Sequence, residues 1–141
     1  MKKTVILSIR GKQNYMDQEP EVIELVTEGI MSWENNRWNI SYEESDLTGL
    51  AGVTTTFSIE PGKITLTRKG ALNSQMIFEE GVFHESLYEM EFGALMLTVC
   101  ASKTECALSE DGGTIDLTYA IEIENTSMGI IEYHLDVQVK P

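Results

Sequence analysis

Trp38-Asn39-Ile40-Ser41-Tyr42-Glu43-Glu44-Ser45-Asp46-Leu47-Thr48-Gly49-Leu50-Ala51-Gly52-Val53-Thr54-Thr55-Thr56 decides how this chain folds. It reads as two strand-like runs joined through a glycine-punctuated turn, with an acidic cluster ending the first run and a threonine run opening the second. Side chains of an extended chain alternate between two faces, so Trp38, Ile40, Tyr42 and Glu44 share one side. An apolar row that ends in a carboxylate belongs to a strand with one buried face. No known reaction centre has this pattern.

The same period of two recurs along the chain. Ile115, Leu117, Tyr119, Ile121 and Ile123 alternate with Asp116, Thr118, Ala120, Glu122 and Glu124; each set shares one face of a half-buried strand. Ile131, Tyr133, Leu135, Val137 and Val139 alternate in the same way with Glu132, His134, Asp136, Gln138 and Lys140, and Val5, Leu7 and Ile9 open the chain with a shorter version. Further runs cover 23–33, 37–45, 53–60, 63–69, 75–80, 83–90, 95–102 and 105–110. With merges allowed, about eight to ten strands are expected. The breaks carry turn chemistry: Asn35-Asn36 tolerates left-handed conformations, Glu60-Pro61-Gly62-Lys63 suits a type II turn, and Asp111-Gly112-Gly113 suits a primed one. Residues 12–21, polar and containing Pro20, are expected to form a longer loop. Short turns imply antiparallel neighbours, and no stretch of a dozen residues keeps a helical period with start and stop signals, which argues against a parallel βαβ sheet.

So many antiparallel strands must dispose of their edges. Closure into a single, mostly up-and-down barrel removes both edges, and a two-sheet sandwich is the alternative. Long runs such as 114–125 and 129–140 favour the all-β barrel, whose tilted strands exceed the usual five or six residues. Gly29, midway along the second run, is where the wall is expected to bend or bulge. At 141 residues, one domain spanning 1–141 is long enough to bury a core without disulfides or metal.

Ten Lys plus Arg against 23 Asp plus Glu leave a formal net charge of -13. Affinity for phosphate backbones comes from clustered cations, and only Lys2-Lys3 and Arg68-Lys69 are adjacent here, so nucleic acid and anionic membrane surfaces are excluded as expected partners. Apolar runs stop far short of the roughly 20 residues of a membrane-spanning helix. The apolar start at Thr4–Ile9 is interrupted by Arg10, with no small-residue cleavage site behind it, and reads as a first strand rather than a secretory signal. Cys100 and Cys106 match no zinc or redox spacing and read as reduced thiols of a cytoplasmic protein.

Several of these pieces also occur together, in order, in one known family. Glu28-Gly29, Tyr42-Glu43-Glu44-Ser45, Thr48-Gly49-Leu50-Ala51-Gly52-Val53-Thr54-Thr55-Thr56, Arg68-Lys69-Gly70, Tyr88 with Phe92-Gly93, and Gly112-Gly113 ahead of Tyr119 resemble the YwiB-like family of bacterial proteins, over nearly the whole chain. The Tyr-Glu-Glu-Ser to Gly-Leu-Ala-Gly block is the most specific element. The resemblance implies a calycin-like barrel, lipocalin-like in shape, from a bacterial cytoplasm. It brings no activity, cofactor or catalytic residue.

Chemistry-bearing residues are few. Glu43, Glu44 and Asp46 are dense near a turn but lack the glycine and distal glutamate of a calcium loop, and a solvated strand end is the simpler expectation. Glu44 stands apart from them because its row points inward. Arg68 ends an equivalent row after Ile64 and Leu66, so Glu44 and Arg68 are expected to pair at one mouth of the barrel, with the hydroxyl of Tyr42 or Tyr119 beside them; a buried charge left alone costs several kcal/mol. That pair is either structural or the polar end of a ligand site where Arg68 meets a carboxylate. His134, on a polar face, is expected in solvent, and His84 lies near a turn beside Glu85. No nucleophile elbow, phosphate loop or metal set is present, so no catalytic residue, metal or cofactor is expected. Trp33, Trp38, Tyr42, Phe57, Phe78 and Tyr119 are expected to fill the core or, if the barrel is hollow, to line its cavity. Ile6, Val22, Val26 and Met96 fall on outward parities and would be sticky if clustered.

Three classes of function remain. The first is a non-enzymatic binder of a small apolar or amphipathic molecule, held inside the barrel by Arg68, Glu44, Tyr42, Tyr119 and Trp38. The second is an interaction module or homodimer using the outer strands. An enzyme ranks last.

Overall fold

The computed structural model describes residues 1–15, 19–45 and 50–141. Ten strands follow one another: β1 (Lys2–Tyr15), β2 (Glu21–Glu34), β3 (Arg37–Glu43), β4 (Val53–Glu60), β5 (Lys63–Gly70), β6 (Asn73–Phe78), β7 (Phe83–Met90), β8 (Gly93–Ser109), β9 (Gly112–Ile123) and β10 (Thr126–Val139). Each pairs antiparallel with its sequence neighbours, and β1 closes on β10 from Val5↔Val139 to Tyr15↔Gly129. The result is one closed up-and-down barrel, not a sandwich. No helix among the described residues is long and apolar enough to cross a membrane.

Alternation sets the inside of the wall. Val5, Leu7, Met31, Ile40, Phe57, Ile64, Leu66, Phe78, Ile115, Leu117 and Leu135 are each at most 2% exposed and pack one end of the barrel solid. The turns largely follow their residues. Asn35 and Asn36 have φ of 53° and 62°, and Gly62 sits at 75°. Behind Asp111 the expectation of a primed turn fails: the left-handed angle belongs to Gly112 (φ 107°), already inside β9, and the primed geometry appears instead at Glu124-Asn125 (φ 49° and 64°).

Two boundaries also shift. The expected loop over 12–21 shortens from its N-terminal side, because Lys12–Tyr15 continue β1 against β10 and β2 starts at Glu21. The runs 95–102 and 105–110 are one 17-residue strand, interrupted by a bulge between Ala101 and Lys103. The extra residue carries the inward row from Val99 and Ala101 to Thr104, opposite Leu117. Gly29 makes no bulge, since β1 and β2 stay in register past it. Its role is close approach: a Cβ there would lie 2.6 Å from the Ser41 carbonyl oxygen and 2.8 Å from Leu7 Cδ1.

Pairing is thinnest between β6 and β7, where only Asn73↔Glu89 and Ser74↔Tyr88 are opposed. The chain there is fastened to β8 instead: Gly81 N–H donates to the Ala101 carbonyl at 2.9 Å, and Thr104 N–H to Glu80 Oε1 at 2.9 Å.

Candidate functional site

Away from the packed end the inward rows change character. A cavity of about 410 Å³ lies between the C-terminal half of β1, the start of β2, the ends of β3, β5, β7 and β9, and the starts of β8 and β10. Its aliphatic wall includes Ile9, Leu25, Leu97, Ile121 and Ile131. The chain has five tyrosines, and all five, Tyr15, Tyr42, Tyr88, Tyr119 and Tyr133, line this one cavity. Gly11 makes room for one of them, since a Cβ there would sit 3.2 Å from the Tyr133 ring. Aromatic bodies with polar tips suit a wall that is apolar over most of its area and hydrogen-bonding at chosen points.

Arg68 and Glu44 both face the cavity. Register explains the surroundings of Arg68: Tyr42 is opposite Thr55, Thr55 opposite Arg68, Arg68 opposite Ser74, and Ser74 opposite Tyr88. Five polar residues on five adjacent strands thus form one inward belt. Within it, Thr55 Oγ1, Arg68 Nε and Ser74 Oγ are buried with no hydrogen-bond partner among the described residues; Glu44 Oε1 and Ser86 Oγ are in the same condition. Buried polar atoms are otherwise almost always satisfied, so this concentration of exceptions sets the belt apart from the rest of the core.

The expected Glu44–Arg68 ion pair does not form. Tyr42 lies beside Glu44, and Tyr133 beside Arg68. The spacing accounts for this. Glu44 N–H bonds the Val53 carbonyl at 2.9 Å, and Val53 is opposite Gly70, two residues beyond Arg68. The two backbones are therefore about 7 Å apart along the strands and about 10 Å across them. Burial, helped by the charge of Glu44, pushes the Tyr42 hydroxyl well above its usual pKa, and burial does the same to Tyr119, so both keep their protons. Burial works against the Arg68 charge, but Tyr133, Tyr119 and Tyr42 outweigh it and hold the pKa above the usual value.

Of the residues expected at a ligand site, Arg68, Glu44, Tyr42 and Tyr119 meet at the cavity. Trp38 does not. It lies at the opposite end of its row, half-buried, with its ring centroid 4.9 Å from that of Trp33. Trp33, expected in the core, is 42% exposed because its pairing with Trp38 is the last but one before the Asn35-Asn36 turn, at the rim of the barrel. Tyr15, Tyr88 and Tyr133 were not assigned to a site by the sequence, although Tyr133 sits on the inward parity beside Leu135. Tyr15 lies within 12–21, whose polar residues and Pro20 give no inward parity to read.

The other candidates disperse. Glu43 is exposed and accepts from Thr54 Oγ1 at 2.9 Å, while Asp46 lies outside the described residues. No group of three metal-ligating side chains occurs among the described residues. His84 contacts Glu79 at 3.0 Å rather than Glu85. His134, expected in solvent, is clamped on the outer wall by Asp116 at 2.6 Å and Asp136 at 3.2 Å. Its hydrogen bond to Asp116 raises its pKa. A raised folded-state pKa contributes stability fully below about 6.5 and loses it as pH climbs through the raised value. The unfolding free energy of the wild type should therefore fall across that window relative to His134→Gln, by a small amount because the pair is partly exposed; a difference between the two proteins that stays the same below about 6.5 and well above it would refute the clamp.

Comparison with known proteins follows the same lines. A family model described as a domain of unknown function, DUF1934, matches residues 7–136. The chain is similar to the uncharacterized beta-barrel protein YwiB of Bacillus subtilis (strain 168), 31% identical over 108 residues that cover 76% of this chain and 74% of that protein. Among solved structures, the crystal structure of ywiB protein from Bacillus subtilis superposes with a TM-score of 0.82 at 24% identity, over 96% of this chain and 92% of that one.

Proposed function

The chain belongs to the DUF1934 family, and from that premise, which assigns no activity, we propose that it is a non-catalytic cytoplasmic barrel that holds a small amphipathic molecule in the tyrosine-lined cavity. One observation carries this role: a cavity of about 410 Å³ that gathers every tyrosine of the chain around Arg68 and Glu44. Pockets that bind small molecules are mostly apolar with a few convergent polar groups, and their volumes start near 300 Å³. The free thiols Cys100 and Cys106 accord with a reducing compartment.

Arg68 separates a ligand site from a structural ion pair. A charge retained for a ligand stabilises nothing in its absence, and exchanging it for an apolar side chain of similar length is neutral or stabilising. Arg68→Met should therefore unfold within about 1 kcal/mol of the wild type or above it, while losing its response to short-chain acids. The measurement is denaturant unfolding, together with thermal shift against C6–C10 acids, amines and alcohols; a ligand at a hundred times its Kd adds about 2.7 kcal/mol. A loss of about 3–5 kcal/mol on substitution would instead identify a member of a structural pair.

A second role rests on a separate observation. Val26 is 70% exposed on the outside of β2, with Val22 and Ile30 on the same face and Ile6 half-buried beside them. Met96 does not join them; it is opposite Leu87 on the β7–β8 wall. Self-association through the β1–β2 wall follows from this patch, and light scattering that finds a strict monomer at high concentration would remove it.

A further inference from the structure

The cavity wall holds two opposite formal charges that, among the described residues, neither neutralise each other nor meet another ion. Arg68 and Glu44 form no salt bridge, and each leaves one buried atom without a hydrogen-bond partner among the described residues, Nε on Arg68 and Oε1 on Glu44. The two atoms are complementary in kind. Nε donates only, and a carboxylate oxygen accepts only. The rest of the described surroundings does not remove the mismatch, since the nearest polar neighbours, Tyr42 beside Glu44 and Tyr133 beside Arg68, are not ions of opposite sign. Burying either charge without a counter-ion is costly. A simple fatty acid would satisfy Arg68 and leave Glu44 alone, and an amine would do the reverse.

Resting on the binding role above, we propose that the natural ligand is a small amino-acid-like zwitterion, whose carboxylate accepts from Arg68 and whose ammonium donates to Glu44, with one apolar body lying against Ile9, Leu25, Ile121 and Ile131. Charge balance favours this class, because the cavity's own pair sums to zero and a dipolar ligand adds no net charge to a buried space. Size limits it. At about 30 Å³ for each water-sized group, a cavity of about 410 Å³ has room for roughly a dozen non-hydrogen atoms. Charge-assisted hydrogen bonds at two separate points would fix orientation as well as identity.

Four probes of one shape test the proposal by titration calorimetry on the full chain: phenylalanine, 3-phenylpropanoate, 2-phenylethylamine and 3-phenylpropanol. Phenylalanine should bind at least tenfold more tightly than either singly charged analogue. Glu44→Gln should cost phenylalanine at least tenfold and leave 3-phenylpropanoate unchanged, whereas Arg68→Met should abolish binding of both acids. Denaturant unfolding of each variant verifies that the barrel is intact, and Glu44→Asp provides a carboxylate control if Glu44→Gln does not fold. Equal affinities for phenylalanine and 3-phenylpropanoate, or indifference of phenylalanine to Glu44→Gln, would overturn the zwitterion. If only 3-phenylpropanol binds, the zwitterion falls and the binding role stands; if none of the four binds, both fall.

Discussion

Phe57→Ala should lower the free energy of unfolding by about 3–5 kcal/mol, the cost of removing a large aromatic from a site that cannot collapse. Phe57 is 2% exposed, on the inward row of β4 opposite Ile40 and Leu66, both fully buried. Its neighbours belong to a closed wall and cannot close the gap without breaking strand pairing. Ile121→Ala, at the other end, should cost only about 1 kcal/mol, because its side chain already borders open space and the lost contact is mainly area removed from water. The contrast is the point of the experiment. Chemical denaturation of both variants measures it, and similar losses would show that the cavity end is as tightly packed as the other.

Gly29→Ala should destabilise by about 2 kcal/mol and disturb the cavity as well. The added methyl would stand 2.6 Å from the Ser41 carbonyl oxygen, 2.8 Å from Leu7 Cδ1 and 3.4 Å from Tyr42 Cβ. Overpacking of this kind costs about 1–3 kcal/mol, and the smaller entropy of the unfolded alanine chain returns less than 1 kcal/mol of it. Relief requires β3 to move outward, and β3 carries Tyr42 and Glu44. Thermal unfolding should show a midpoint lower by several degrees, and the amide resonances of residues 41–44 should shift in a heteronuclear spectrum. A midpoint unchanged from wild type would show that the strands part freely at this level.

The barrel was legible in the sequence because its physics is local. Alternation in 115–124 and 131–140 fixed which side chains face inward, and Asn35-Asn36 and Pro61-Gly62 fixed two of the reversals. The same parity brought Arg68, Glu44, Tyr42 and Tyr119 to one cavity. What parity does not contain is height. Glu44 and Arg68 end similar rows, but pairing of Val53 with Gly70 sets them at different levels, and no single strand encodes that offset. Trp38 failed for the same reason: it shares a face with Tyr42 and lies at the other end of it. The His134 clamp depended on a cross-strand partner, Asp116, that only register could supply.

The separation of aromatic types along the barrel has an optical consequence. Both tryptophans sit at the packed end, and every tyrosine sits around the cavity. The protein thus carries two built-in chromophore sets, each reporting on its own end. A molecule entering the cavity would alter the tyrosine ultraviolet difference spectrum and leave the tryptophan emission maximum where it was, whereas loosening of the β2–β3 hairpin would do the opposite.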